Sequence, residues 1–338
     1  MLRFALVLIA LSLSAAFLLV RTRAVEADTL SNFLLVANKG DHTLGLIDPQ
    51  AGRQVATVDE AGVTGHEVIA SPDGRTAYVP IYGDSGVGLP GSDGSNLVVV
   101  DLASRKVTGS IDFGRGVRPH CPMIGPKDGL LYVTTELDKS VTIIDPKTLK
   151  TVGSIPTTQP ESHMLAITRD GRRGYTANVG PGTVSVLDME GRKTIAVIPV
   201  APKIQRIALS VDDRLVFTSD QTKPQLAVID TATSQVKTWV QMPAQGYGTA
   251  PTPDGRWLVV ALRTGNQVAV VDLKSMKVAH TVEVPAVPQE VLIPPDGKIA
   301  YVSCDASRKI AAIRISDWKV EKVIDAGPGA DGLAWAGR

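Results

Sequence analysis

Aromatic side chains are scarce in this chain: 4 Trp, 6 Tyr and 5 Phe among 338 residues. Surfaces that stack successive bases or sugars are built from such rings, so stacking platforms are not expected. An excess of either charge is also missing. Lys and Arg total 35 against 34 Asp and Glu, a net charge of +1. That balance lacks the basic stripe of a nucleic-acid binder, and no nucleic-acid partner is expected. Cysteine is limited to Cys121 and Cys304. They fall on distant repeat units, too far apart for the roughly 6 Å Cα separation of a disulfide, so two free buried thiols are expected. No nucleophile elbow, phosphate loop, haem-attachment CxxCH or calcium loop occurs. Long stretches of helical periodicity are absent too, which excludes a parallel α/β array.

One long apolar run is present, at the N-terminus. Arg3 precedes an almost unbroken apolar stretch over residues 4–20, and Val25-Glu26-Ala27 offers small residues where a signal peptidase reads. Residues 1–27 are therefore expected to export the protein to the periplasm or the exterior. Arg21 and Arg23 leave an uncleaved anchor as the alternative, the one route to a membrane.

What fills the rest is a repeat. Turn signals of the Pro-Asp-Gly type place aspartates at Asp73, Asp128, Asp170, Asp212, Asp254 and Asp296, the last five 42 residues apart. A second ladder runs in phase through Asp48, Asp101, Asp145, Asp188, Asp230 and Asp272. A period of this size marks a propeller or an array. Each unit holds four short apolar runs, as at 164–168, 174–178, 183–187 and 194–199. First strands open near His66, His120, His163, Gln205, Tyr247 and Gln289, and a seventh spans 331–336. The partners of that last strand lie at 33–38, 43–47 and 54–58. The expectation is an all-β, seven-bladed β-propeller over residues 30–338, its last blade stitched from both termini so that no sheet edge stays open.

The segments Tyr132-Val133-Thr134-Thr135, Tyr175-Thr176-Ala177-Asn178 and Tyr301-Val302-Ser303-Cys304, with weaker copies at Tyr78-Val79 and Phe217-Thr218, resemble the YVTN-type seven-bladed propellers. The resemblance spans residues 30–338 and implies the fold. For function it implies a wide field: surface-layer proteins, lactonase-like enzymes, and haem- or copper-associated reductase domains. Fold-level likeness cannot choose among them.

The repeated aspartates read as turn chemistry, because Asp caps its own backbone at such positions. Histidine behaves differently. Three of the five occupy one phase of the repeat on consecutive blades: His66, His120 and His163. The same phase holds Gln205, Tyr247, Gln289 and Asp331, so a polar ring lines one mouth of the channel. Loops at that mouth bring Glu136, Arg263 and the one large insertion, Tyr82 to Ser95, a glycine-rich loop of a length that is usually functional. Three imidazoles with Glu136 as fourth ligand or base fit a divalent zinc, iron or copper ion; the plainer reading is that they line a wet channel. Arg118, Arg206 and Arg263 are placed to clamp a carboxylate or phosphate. Glu67 and Glu290 adjoin ring positions, and strand alternation turns them away from the channel.

Three functional readings follow. In the first, a hydrolase or lyase acts on a small lactone-like or anionic substrate, with a metal or a histidine base activating water and an arginine holding a carboxylate. In the second, the mouth recognises a small ligand or a cell-envelope protein without chemistry. A third reading is a haem or copper accessory role, with one ring histidine as axial ligand.

Overall fold

Twenty-eight short strands form seven four-stranded antiparallel sheets, seen in a computed structural model that describes residues 32–337 apart from 61, 63 and 85. The expected export segment lies outside the described residues. Each sheet is a meander, and the first strands of neighbouring blades touch one another around the channel. Blades 2 to 6 open with first strands Pro119–Ile124, Ser162–Ile167, Ile204–Leu209, Gly246–Pro251 and Pro288–Leu292. Blade 7 orders its strands Ala330–Ala336, Phe33–Asn38, Thr43–Asp48 and Arg53–Asp59, so the two ends of the chain close the ring as expected.

Second strands such as Phe33–Asn38 are buried throughout, whereas fourth strands such as Lys193–Pro199 alternate between exposed and covered. The pattern follows from blade stacking: inner strands have a neighbouring sheet on each face. Tyr132, Val141 and Ile143 of blade 2 pack with Leu165, Tyr175 and Val186 of blade 3 in one apolar cluster. Each large aliphatic chain buried this way contributes about 1.5–3 kcal/mol.

Both aspartate ladders are turn chemistry. Asp73, Asp128, Asp170, Asp212, Asp254 and Asp296 each accept, through Oδ1, the backbone N–H two residues on. Asp48, Asp101, Asp145, Asp188, Asp230 and Asp272 do the same two or three residues on. Cys121 and Cys304 are free, buried thiols.

The first strands depart from simple alternation. In blade 2, Pro119 pairs with Thr135 and Pro122 with Val133, so His120 and Cys121 together oppose Thr134. In blade 6, Gln289 and Glu290 together oppose Ser303. These are β-bulges, which re-aim side chains and leave backbone groups unpaired. A hydroxyl at one phase of the YVTN-like motif fills the gap. Thr134 Oγ1 accepts Cys121 N–H at 2.9 Å and donates to the His163 carbonyl at 2.8 Å. Ser303 Oγ accepts Glu290 N–H at 3.0 Å. In blade 1, Pro80 stands at that phase and has no N–H to give. There the first strand shrinks to Ile69–Ala70, and Gly65 makes only an isolated bridge to Ile81.

The irregularity overturns the expected direction of Glu67 and Glu290. Neither turns away: both reach the Arg206 guanidinium of blade 4, which also holds Asp331 Oδ1 of blade 7 at 2.8 Å. Arg206 is only 3% exposed and sits at φ 61°, a left-handed backbone conformation that the bulge imposes. One guanidinium thus spans the channel and ties blade 4 to blades 1, 6 and 7. Lys39 continues the network to Asp331 at 3.1 Å and Asp305 at 3.2 Å.

Thr134→Val should cost about 1–3 kcal/mol in urea unfolding, since a buried N–H and a buried carbonyl lose their partner. Thr134→Ser should recover most of that loss, and equal stability for Val and Thr would contradict the bulge-pinning role. Arg206→Met should cost more, about 3–5 kcal/mol, because three buried carboxylates lose their common counter-ion. Adding Glu67→Gln to that variant should recover part of the loss.

Candidate functional site

Bulged first strands and the loops that follow the second strands converge on one mouth of the channel. A pocket of about 250 Å³ opens there, lined among others by His66, His120, His163, Gln205, Tyr247 and Arg263. Gln289, Asp331, Lys39, Lys203 and Arg206 complete the polar wall, and Gly86, Val87 and Leu89 of the glycine-rich loop form an apolar one.

The three histidines meet Tyr82. His120 and His163 stack with ring centroids 3.5 Å apart; Tyr82 lies edge-on to both at 5.2 and 5.6 Å, and His66 lies 4.8 Å from Tyr82. Glu136 sits behind them on a short 3-10 turn, Glu136–Asp138, and is 3% exposed. Its Oε2 accepts the Tyr82 hydroxyl at 2.7 Å and lies 3.4 Å from His163 Nδ1. That last contact is electrostatic, because Nδ1 has no hydrogen bond of good geometry. Glu136 Oε1 faces Arg118 Nη1 at 3.7 Å.

Burial decides the charge state. Desolvation pushes His66 down to about 3 and His120 well below the usual histidine range, with the neighbouring imidazoles adding to the effect on His120. His163 is also lowered by burial, against the opposing pull of Glu136. Burial pushes Glu136 upward, but His163, Tyr82 and Arg118 outweigh it and carry the carboxyl below its ordinary value. Burial and the Glu136 carboxylate raise the Tyr82 phenol. At neutral pH the mouth therefore presents three neutral imidazoles beside one carboxylate. Beneath them burial raises the Glu67 carboxyl, against the pull of Arg206.

His66, His120, His163, Tyr82 and Glu136 come together as the sequence suggested, and Gln205, Tyr247, Arg263, Gln289 and Asp331 line the pocket. Two arginines play other parts. Arg206 is paired to protein carboxylates through both terminal nitrogens. Arg118 lies behind the loop, donating from Nε to Asp93 Oδ1 at 2.6 Å and from Nη2 to the Leu89 carbonyl at 2.7 Å. Arg263 and Lys203 are exposed at the rim and make no ion pair among the described residues; Arg263 Cζ lies 5.1 Å from the Tyr247 ring centroid. Lys39 and Lys203 escaped the sequence reading. Lys39 directly follows the second strand of blade 7, the same phase as Glu136, Arg263 and Asp305, so completing that register would have found it.

Among the described residues no group of three or more His, Cys, Asp or Glu side chains is arranged to hold an ion. His120 and His163 present their faces to each other, and Glu136 Oε2 accepts the Tyr82 hydroxyl. The arrangement supplies neutral bases and an orienting carboxylate.

His66 follows the connection from blade 7. Glu60, fully covered, accepts Gly65 N–H through Oε2 at 2.8 Å and leaves Oε1 without a partner. Burial, aided by Asp41 and Asp59, lifts its carboxyl to about 7. A carboxyl raised on folding contributes stability that is complete below its unfolded value near 4.5 and is lost as pH climbs through about 7. Glu60→Gln should therefore be the more stable protein at pH 8, by on the order of 2–3 kcal/mol, and about equal to wild type at pH 4. A difference that does not change with pH in urea unfolding would contradict this.

Similarity to known proteins agrees with the architecture. The sequence profile of the family described as "Lactonase, 7-bladed beta-propeller" matches residues 49–295. No curated protein sequence matches the chain. Among solved structures, Kuenenia stuttgartiensis hydrazine synthase superposes with a TM-score of 0.73 at 18% identity, covering 88% of this chain and 99% of that one. A dihydro-heme d1 dehydrogenase, NirN, solved in complex with DHE, gives 0.66 at 16% identity, covering 91% of this chain and 76% of that one. At such identities these two share the fold alone. The profile match, which spans most of the ring, makes this chain a member of the lactonase-type seven-bladed β-propeller family.

Proposed function

We propose that the protein is an exported hydrolase that opens a small lactone bearing a carboxylate or comparable anionic group. The observation that carries this reading is the pairing of a neutral imidazole, His163, with the Glu136 carboxylate at a pocket whose rim holds two cations that have no acidic partner among the described residues. An imidazole oriented and stabilised by a carboxylate is the composition of a general base. His163 takes a proton from a pocket water, the resulting hydroxide adds to the lactone carbonyl, and the ring C–O bond breaks. The imidazolium then returns its proton to the departing alkoxide, and the product is the hydroxy acid.

Charge runs in the same direction. While His163 is protonated, Glu136 lies beside it and supplies the compensating charge. Arg263 and Lys203 line the same pocket and suit the substrate's anionic group. The volume of about 250 Å³ lies just under the range of roughly 300–1,000 Å³ that takes drug-sized ligands, which favours a compact substrate over a macrocyclic cofactor. Export, to the periplasm or beyond, rests on the apolar N-terminal sequence.

Ring opening followed in a pH-stat, with isocitric lactone and γ-butyrolactone as probes, tests the reading. The carboxylated lactone should be opened well above the buffer rate and the neutral one poorly. His163→Ala should lower kcat by on the order of 100-fold with the fold intact. Arg263→Ala should raise KM for the carboxylated lactone and leave kcat near wild type. Folded protein that opens neither lactone, yet binds the carboxylated one, would replace this reading with a binding module.

A further inference from the structure

The insertion between the second and third strands of blade 1 is held by a side chain, Arg118, that also faces the Glu136 carboxylate. The loop's neck is closed by backbone contacts that only glycine permits. Gly83 sits at φ 121°, and a Cβ there or at Gly94 would meet the carbonyl oxygen of Ser92 or Ile81 at 2.0 or 1.7 Å. Asp84 Oδ1 accepts Ser92 N–H at 2.6 Å across the neck. Beyond the neck, Val87 and Leu89 supply the pocket's apolar wall, and Leu89 is 60% exposed.

Arg118, 5% exposed, reaches this loop from blade 2. Its Nε holds Asp93 on the returning stem, its Nη2 holds the Leu89 carbonyl at the tip, and its Cζ lies 5.9 Å from the Tyr82 ring on the outgoing stem. The remaining edge faces Glu136 Oε1 at 3.7 Å, beyond hydrogen-bond reach. Its backbone is held on both sides as well: Arg118 N–H donates to the Gly94 carbonyl at 3.0 Å, and Glu136 N–H donates to the Arg118 carbonyl at 3.3 Å. Arg118 sits at φ 50°, a strained conformation for a side-chain-bearing residue that persists only where its surroundings over-determine it.

We propose that Arg118 is a positioning residue through which the glycine-rich loop sets the Glu136 carboxylate, and with it Tyr82 and His163. Two acceptors on the loop and one carboxylate behind it share a single guanidinium. With the loop seated, Asp93 and Leu89 keep Arg118 away from Glu136, and the carboxylate serves Tyr82 and His163. With the loop lifted, the buried guanidinium loses two acceptors, and Glu136 is the charge left within reach. It then draws Glu136 from its partners. A ligand that packs on Val87 and Leu89 holds the loop seated and so keeps the imidazole–carboxylate pair assembled. The inference rests on the mouth being a ligand site, and its test does not depend on lactone hydrolysis.

The test uses the full-length protein without ligand, at one fixed pH. Ring resonances of Tyr82 and His163 and amide hydrogen exchange over Gly86–Leu89 are recorded for wild type, Asp93→Asn, Arg118→Gln and the double variant. Asp93→Asn should shift both rings, although Asp93 touches neither, and should speed loop exchange about tenfold. In the Arg118→Gln background the same Asp93 change should leave the rings unmoved, because the connection is already cut. Arg118→Lys keeps the charge but not the fork, and should restore the ring response only in part. It also carries the comparison if the Gln variant does not fold. Faster loop exchange in Asp93→Asn with unmoved Tyr82 and His163 resonances would overturn the proposal and leave Arg118 as a loop anchor alone. A ring response that survives in the double variant would overturn it equally.

Discussion

A buried guanidinium crossing the channel is the constraint on which the rest of the structure depends. Arg206 meets carboxylates from three blades that lie elsewhere on the ring, and one of these, Asp331, sits on the strand that closes it. Removing four charges from water costs several kcal/mol per ion before attraction offsets it. Three members of the network, Arg206, Glu290 and Asp331, sit at bulges in their first strands. Two of its members, Arg206 and Asp331, also line the pocket.

The same bulges place the histidines. A regular first strand would alternate, sending His120 inward and its neighbours outward. Two-against-one pairing opposite Thr134 and Ser303 instead lets adjacent residues serve the channel at two depths. Ring histidines form the upper layer, and acidic residues one position later, Glu67 and Glu290, form the lower one. Neutral imidazoles above a saturated ionic plug follow from burial, since protonating a ring there would place another cation near Arg206.

The fold was legible in the sequence because its signals are local and repeated. Six Pro-Asp-Gly-type turns in register with six strand-ending aspartates count the blades, and the lone first strand at 331–336 reveals how the ring closes. The mouth was legible in part, since His66, His120, His163 and Glu136 share phases of that repeat. Glu67 and Glu290 were misplaced because alternation cannot foresee a bulge, although Thr134 and Ser303 mark where hydroxyls replace ladder partners. Arg206 and Arg118 looked like ligand clamps because a sequence shows charge but not the acceptors already paired with it. Asp93 and the Leu89 carbonyl, which capture Arg118, belong to an insertion outside the repeat and had no register to place them.

Chemistry at this mouth requires imidazoles that are uncharged when substrate arrives. Nitrogen-15 NMR of the histidine rings at pH 6 tests that requirement most directly. The rings of His66, His120 and His163 should all show the two distinct nitrogen shifts of neutral imidazole, with the stacked pair, His120 and His163, each locked in one tautomer. Protonated, averaged shifts for any of the three at pH 6 would contradict the account, because the pocket would then hold cations where it needs bases.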